Sequence, residues 1–219
     1  MIIQFGTTQI DLTPTKIVAV ARNYKAHAEE MGTSVPDIPT IFLKPPSSLI
    51  GDNGVVILPA VSNRVDYEVE LAVIMKTRCT KVSAEEALEH IMGYTVFIDV
   101  TARDIQKVAK EKGAPWAVAK GFDTFSPLGP QIVPAGTIDP DNSDIWLKVN
   151  NEQKQKSNTK NMIFSVGELI SYISSVMTLE PMDIIATGTP EGVGPLEDKD
   201  TVKASIAGIG VLTFTVQKE

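Results

Sequence analysis

Asp66-Tyr67-Glu68-Val69-Glu70-Leu71-Ala72-Val73-Ile74 reads as a β-strand with two carboxylates set into it one residue apart. Side chains alternate across a strand with period 2, so Glu68 and Glu70 share one face while Val69, Leu71 and Val73 occupy the other. Two adjacent anions repel, and such a pair faces solvent, shares a proton or is neutralised by a cation. Taken alone, Glu-Val-Glu is an ordinary solvated strand face. What decides between that and a shared cation lies elsewhere in the chain.

A third carboxylate follows in a less ambiguous setting. Gly93-Tyr94-Thr95-Val96-Phe97-Ile98-Asp99-Val100 is a strongly apolar strand interrupted by one aspartate, and a charge inside such a run is costly to bury unless it is paired or bound to a cation. Asp99 therefore tips the reading of Glu68 and Glu70 towards a shared cation. Directly after it, Thr101-Ala102-Arg103-Asp104-Ile105-Gln106-Lys107 reads as a capped helix start, with Arg103 and Gln106 on neighbouring positions of one face. That face suits an anionic ligand, or Arg103 simply pairs with a nearby acid. Lys120 closes the apolar segment Pro115-Trp116-Ala117-Val118-Ala119 against Gly121 and Phe122. Such a lysine either clamps a carboxylate or enolate, or snorkels to the surface.

Ahead of the glutamates, Lys16-Ile17-Val18-Ala19-Val20 is a β-branched strand, and Ala21 to Gly32 has helical composition with a glycine stop. His27 precedes Glu30 by three residues, which puts both side chains on one helical face. A carboxylate beside an imidazole fixes its tautomer and stabilises its protonated form, as a general base for water needs. The same spacing also occurs on ordinary exposed helices. The proline-bearing segment from Thr33 to Pro39 gives this helix a mobile connection to the strand Thr40-Ile41-Phe42-Leu43. Lys44-Pro45-Pro46-Ser47-Ser48 then precludes regular structure and presents Lys44 from a loop.

Most of the remaining chain reads as structural. Residues 2–5, 9–12, 55–58, 144–149 and 152–158 are strands, the last two joined at Asn150-Asn151, and strands 201–207 and 211–217 close around Gly208-Ile209-Gly210. Ser83-Ala84-Glu85-Glu86 and Ser165-Val166-Gly167-Glu168 are capping boxes. The first opens a short helix ending near His90, and the second a helix to about Met177 with Ile170, Ile173 and Met177 in the core. Asp183-Ile184-Ile185-Ala186 runs into Thr187-Gly188-Thr189-Pro190-Glu191-Gly192-Val193-Gly194-Pro195. That loop brings backbone N–H groups and hydroxyls close to a ligand, without the Lys-Ser/Thr ending of a phosphate loop.

With 219 residues and 43% apolar content the chain supports one large α+β domain over 1–219, and fourteen prolines and fifteen glycines between short apolar runs make it strand-rich. A net charge of -7 without Lys/Arg clusters argues against nucleic acid and anionic membranes as partners. The single cysteine, Cys79, excludes an internal disulfide and a Cys-based zinc site. No segment reaches the ~18 apolar residues of a membrane span, and Met1-Ile2-Ile3-Gln4-Phe5 has no basic start, so the chain reads as cytoplasmic.

The ordered set Arg-Asn-Tyr-x-x-His-Ala-x-Glu-Met at 22–31, Phe-Leu-Lys-Pro at 42–45, Tyr-Glu-Val-Glu-Leu at 67–71, Ile-Asp-Val-Thr-Ala-Arg-Asp at 98–104, Ala-Lys-Gly-Phe-Asp at 119–123 and Thr-Gly-Thr-Pro-Glu-Gly-Val-Gly at 187–194 resembles the fumarylacetoacetate hydrolase family. The likeness runs from residue 16 to the C-terminus and is strongest to the small acylpyruvase and oxaloacetate decarboxylase branch. It implies layered mixed sheets with few peripheral helices, and a homodimer. It assigns Mg2+ or Mn2+ to Glu68, Glu70 and Asp99. His27 and Glu30 become a water-activating dyad on a lid, and Lys120 joins the catalytic set. Arg22, Arg103, Gln106 and Thr189 become substrate contacts.

The donor chemistry agrees, since an all-oxygen set suits a hard cation that keeps about three positions for water or substrate. A 2-oxo acid chelates through its carboxylate and keto oxygens, which favours charge developing as an adjacent C–C bond breaks. Hydrolysis of an acylpyruvate or fumarylpyruvate is the leading expectation. Oxaloacetate decarboxylation, or isomerisation or tautomerisation of a related 2-oxo dicarboxylate, stands second, and a non-catalytic 2-oxo acid binder third.

Overall fold

Both faces of the strand Val69–Met75 are buried, which puts it inside the protein rather than at a wet surface. Val69, Leu71 and Val73 pack into one apolar cluster with Leu147, Val202 and Phe214. Ala72 and Ile74 pack into a second with Ile17, Phe97 and Ile184. A strand buried on both sides reads as near-continuous apolar sequence, so the glutamates at its start are not solvated. The computed structural model describes residues 1–30, 32 and 34–219.

The largest sheet has eight strands, in spatial order Thr8–Asp11, Ile2–Phe5, Gln131–Pro134, Ile91–Ile98, Val69–Met75, Ile184–Ala186, Ile17–Ala21 and Thr40–Lys44. Two neighbour pairs are parallel, Ile2–Phe5 with Gln131–Pro134 and Ile184–Ala186 with Ile17–Ala21. A second sheet of five strands runs Glu152–Asn158, Asp144–Val149, Thr201–Ile206, Gly210–Lys218 and Gly54–Leu58. Its first hairpin turns at Asn150 and Asn151, with φ of 50° and 66°, the paired left-handed residues of a tight turn. Val65–Tyr67 lies between Thr101–Ala102 and Gly194–Pro195 in a three-stranded ribbon. The helices are short and peripheral: Lys25–Glu30, Ala84–Ala87, Arg103–Glu111, Ala117–Lys120 and Val166–Val176. Both capping boxes close as expected, at Ser83 with Glu86 and at Ser165 with Glu168. Among the described residues no helix is long and apolar enough to cross a membrane.

Several local expectations are corrected. The expected strand over 66–74 is two strands, Val65–Tyr67 and Val69–Met75, broken at Glu68. The helix expected over 21–32 spans Lys25–Glu30, because Arg22 is left-handed at φ 59° and Asn23 is tied to the 163–164 backbone. Met31 of that helix, and Thr33 of the connection expected after it, lie outside the described residues. Lys44 is the buried last residue of a strand rather than a loop residue, and Pro46–Ser48 forms a 3-10 turn. The helix at Arg103 has no side-chain cap, since its N-cap residue is Ala102; the Thr101 hydroxyl one residue earlier donates to the Asp99 carbonyl. Met177 is the half-buried C-cap of its helix rather than core.

One buried acid ties the parallel pair together. Asp183 Oδ1 accepts from Thr15 N–H at 2.9 Å, Thr15 Oγ1 at 2.7 Å and Lys16 N–H at 3.1 Å, while Oδ2 accepts from Glu180 N–H at 2.8 Å and from the Lys16 ammonium. Burial pushes this carboxyl up, but the Lys16, Glu180 and Thr15 hydrogen bonds outweigh it and hold it below the ordinary range. Asp183→Asn would set amide hydrogens against these donors and is expected to cost about 2–4 kcal/mol in urea unfolding at pH 7. The contribution is complete above about pH 4 and fades as pH falls through the lowered folded value. The gap between wild type and variant therefore narrows on acidification, and a gap independent of pH would contradict this account.

Candidate active site

The break at Glu68 makes the centre. A backbone hydrogen bond from Asp99 N–H to the Glu68 carbonyl, 2.9 Å, fixes the end of Ile91–Ile98 against the start of Val69–Met75. Glu68, Glu70 and Asp99 are all buried, and one carboxylate oxygen from each lies within 4.8 Å of the others.

Three cations hold the floor. Lys44 Nζ donates to Asp99 Oδ1 at 2.7 Å and to the Val100 carbonyl at 3.2 Å. Lys120 Nζ donates to Glu68 Oε2 at 2.9 Å and also to Asp99 Oδ2. Arg103 pairs with Asp66 at 2.8 Å and with Glu68 Oε1, and donates from Nη1 to Gln106 Oε1 at 2.8 Å. Lys120 is thus buried and paired rather than snorkelling. Burial opposes its charge, but Asp99 and Glu68 outweigh that and hold the ammonium above its ordinary range. Burial likewise pushes Glu68 up, yet Lys120, Arg103 and His27 hold it well below the usual carboxylate range.

Glu70 is the exception. Its one hydrogen bond among the described residues comes from Gly188 N–H, at 2.8 Å. Burial, Asp99 and Glu68 all push it well above the ordinary range. A buried carboxylate beside two others, with an oxygen left over, is the environment a divalent cation relieves. The three acids supply only oxygen donors, so the set fits Mg2+ or Mn2+ rather than a soft metal.

Above the acids lies a cavity of about 280 Å³. Every expected site residue except Glu30 lines it: His27, Lys120, Arg22, Arg103, Gln106, Thr189 and the three acids. Glu30 stands behind His27, its Oε2 3.3 Å from Nδ1, and also accepts from Gly192 N–H at 3.2 Å. That contact occupies Nδ1 and leaves Nε2 for the cavity. Two glycines of the 187–194 loop make these contacts. Gly188 has φ 98° and a Cβ there would fall 2.7 Å from Asn23 Cβ, while at Gly192, φ 90°, it would fall 2.3 Å from the Lys154 carbonyl. Only glycine brings these N–H groups to Glu70 and Glu30. Arg22 holds its left-handed backbone at a cost of about 1–2 kcal/mol, which marks the position as over-determined by its surroundings.

Sequence reading missed several residues that build the site. Gln155, taken as one of the polar residues of a hairpin return strand, is wholly buried. It accepts from Val69 N–H at 3.0 Å and donates to Thr189 Oγ1 and to the Pro190 carbonyl, each at 2.9 Å. With Oγ1 accepting, the Thr189 hydroxyl keeps its own proton to donate elsewhere. Asn23, buried, donates to the Phe164 and Thr187 carbonyls. Tyr24 is buried with its hydroxyl unpartnered among the described residues, and burial and the Glu70 charge push it well above its ordinary range. Phe42, Trp116 and Lys110 complete the cavity wall. Asn23, Tyr24 and Phe42, like Lys44, lie in motifs already singled out, but a single sequence carries no signal that marks Gln155, Trp116 or Lys110. His90 instead meets Thr77, 2.7 Å away, outside the cavity, and Cys79 is a buried thiol raised by burial.

The family model for the fumarylacetoacetate hydrolase C-terminal domain matches residues 16–217. The chain belongs to this family. It is 48% identical to a mitochondrial oxaloacetate tautomerase of Arabidopsis thaliana, over 93% of this chain and 92% of that protein. Fumarylpyruvate hydrolase from Pseudomonas aeruginosa, solved with Mn2+ and pyruvate, superposes with a TM-score of 0.95 over 100% of this chain and 96% of that one, at 33% identity. A 5-carboxymethyl-2-hydroxymuconate delta-isomerase from Mycobacterium smegmatis superposes with a TM-score of 0.86, at 46% identity, over 95% of this chain and 80% of the isomerase. Family members are thus enzymes that act as hydrolases, isomerases and tautomerases, and one solved relative binds Mn2+.

Glu70→Gln removes the carboxyl whose ionisation burial, Asp99 and Glu68 all oppose, so the metal-free variant is expected to match or exceed wild type in Tm. A cation bound only by the folded protein adds about 2.7 kcal/mol at roughly 100 times its Kd, and the variant should lose most of that gain. Scanning calorimetry with and without Mn2+ reads both quantities. Retention of the full Mn2+-induced rise would remove Glu70 from the ligand set.

Proposed function

We propose that this chain is a Mg2+- or Mn2+-dependent enzyme of short 2-oxo acids and that its main reaction is keto–enol exchange of oxaloacetate. The observation that carries the reading is the convergence of Glu68, Glu70 and Asp99 beneath a small cavity that also presents His27 and Lys120. The family resemblance by itself put hydrolysis first. The greater identity to the plant tautomerase, over nearly the full length of both chains, moves oxaloacetate ahead.

A divalent cation on the three acids supplies a Lewis acid that orients the 2-oxo acid and favours negative charge on its 2-oxo oxygen. The chain's own groups do the rest. Lys120, kept charged by Asp99 and Glu68, faces that developing charge from the floor. Arg103 is held rigid by Asp66 and Glu68 and offers guanidinium hydrogens with Gln106 alongside. His27, with Nδ1 against Glu30, is the base that takes a proton from C3 of the substrate at Nε2. The proton taken at Nε2 is returned to the 2-oxo oxygen, which gives the enol and frees His27 for the next cycle, and the Thr189 hydroxyl, held by Gln155, can donate a hydrogen bond to a substrate oxygen.

Hydrolysis of an acylpyruvate is the second reading. The observation favouring it is the same His27–Glu30 pair, which can equally deprotonate a water for attack on the distal carbonyl.

Mn2+-loaded protein is expected to accelerate the absorbance change of oxaloacetate enol–keto exchange, and EDTA to abolish that acceleration. His27→Ala should slow the exchange by about 10²–10⁴-fold, while any loss of CO2 from oxaloacetate, which needs no base, persists. No acceleration by wild type, beside pyruvate release from fumarylpyruvate, would replace the first reading by the second.

A further inference from the structure

Each cation at the cavity floor has its carboxylate. Lys44 pairs with Asp99, Lys120 with Asp99 and Glu68, and Arg103 with Asp66 and Glu68. Two cations on the wall do not. Arg22 reaches the Thr40 hydroxyl, 3.2 Å away, and no carboxylate among the described residues. Lys110 likewise has no carboxylate at ion-pair distance among the described residues, and its ammonium sits 5.0 Å above the Trp116 ring.

Lys110 lies four residues beyond Gln106 and seven beyond Arg103 on the helix Arg103–Glu111, so the three form one stripe along the cavity. Partial desolvation at the cavity wall lowers the Lys110 ammonium from its ordinary range, with Arg103, Lys120 and Arg22 adding to this and Glu68 opposing it. Lys110 is exposed on its helix, but its ammonium borders the cavity with no carboxylate partner among the described residues, so an incoming anion meets a cation that no protein acid already holds. The Trp116 ring below, packed on Phe42 at a centroid distance of 5.3 Å, restricts where the ammonium can go.

A 2-oxo monocarboxylate such as pyruvate spends its one carboxylate at the acidic floor and brings nothing for these two groups. A 2-oxo dicarboxylate brings a second charge. We propose that Lys110 and Arg22 form a subsite for the distal carboxylate, and that Lys110 is the residue by which this chain prefers a 2-oxo dicarboxylate to a 2-oxo monocarboxylate. This rests on the reading of the cavity as a metal-dependent 2-oxo acid site, and names the residue that selects within that class.

Calorimetric titration of Mn2+-loaded protein with pyruvate and with oxaloacetate tests it. Wild type is expected to bind oxaloacetate the more tightly. Lys110→Met, which keeps the stem and removes the charge, should weaken oxaloacetate roughly tenfold or more, the loss of a charge-assisted hydrogen bond, and pyruvate by less than about twofold. Lys110→Arg should stay within about threefold of wild type for both ligands. Retained pyruvate binding in Lys110→Met also shows that the variant is folded with its floor intact. Pyruvate bound by wild type, but with no preference for oxaloacetate or with oxaloacetate unaffected by Lys110→Met, overturns the subsite alone. Equal weakening of both ligands does the same. Failure of wild type to bind pyruvate at all overturns the 2-oxo acid reading and the subsite with it.

Discussion

Three carboxylates buried within one ion's reach of each other are tolerable only if positive charge is built around them. Lys120 spans Glu68 and Asp99, Lys44 closes the far side of Asp99, and Arg103 joins Glu68 to Asp66. Glu70 is left with one backbone N–H. The desolvation of these groups is offset only by their mutual pairing, so their positions are coupled: moving one strands another as an uncompensated buried charge.

The architecture around them follows from that requirement. Two segments must deliver acids to one point from the middle of a fold, and adjacent antiparallel strands do so through the register of Val69 with Ile98 and Glu70 with Phe97. Ending the ladder at Glu68 and Asp99 frees both side chains from the sheet while the Asp99 N–H keeps them in register. The second sheet reaches the same point through one side chain, Gln155, which ties Val69 to the 187–194 loop. Glycines in that loop then set N–H groups against Glu70 and Glu30, so a single turn supports both the acidic floor and the histidine above it.

The floor and the wall of the cavity divide their work by charge. Floor cations are paired with the acids, which neutralises the floor and fixes the cations' own positions. Wall cations have no carboxylate partner among the described residues, and the aromatic pair Phe42 and Trp116 lines the cavity beside them.

Much of this was legible in the chain itself. Apolar runs broken by single acids, the capping boxes, the Asn150-Asn151 turn and the six ordered motifs determined a strand-rich family fold and named the acids, the His27–Glu30 pair and several residues that line the cavity, because local periodicity and motif spacing are properties of sequence. Other features were decided only by tertiary packing. Lys44 read as a loop residue because its proline neighbours hide that its stem runs into the core. Gln155 read as a solvated strand residue because alternation along a hairpin cannot tell which polar side chain a distant loop will cover. Lys110 drew no reading at all, because nothing in a linear chain says which cations find a carboxylate and which stay unpaired. Burial and charge compensation are long-range quantities, settled only when segments more than a hundred residues apart, such as Glu70 and Gly188, are brought within a hydrogen bond of each other.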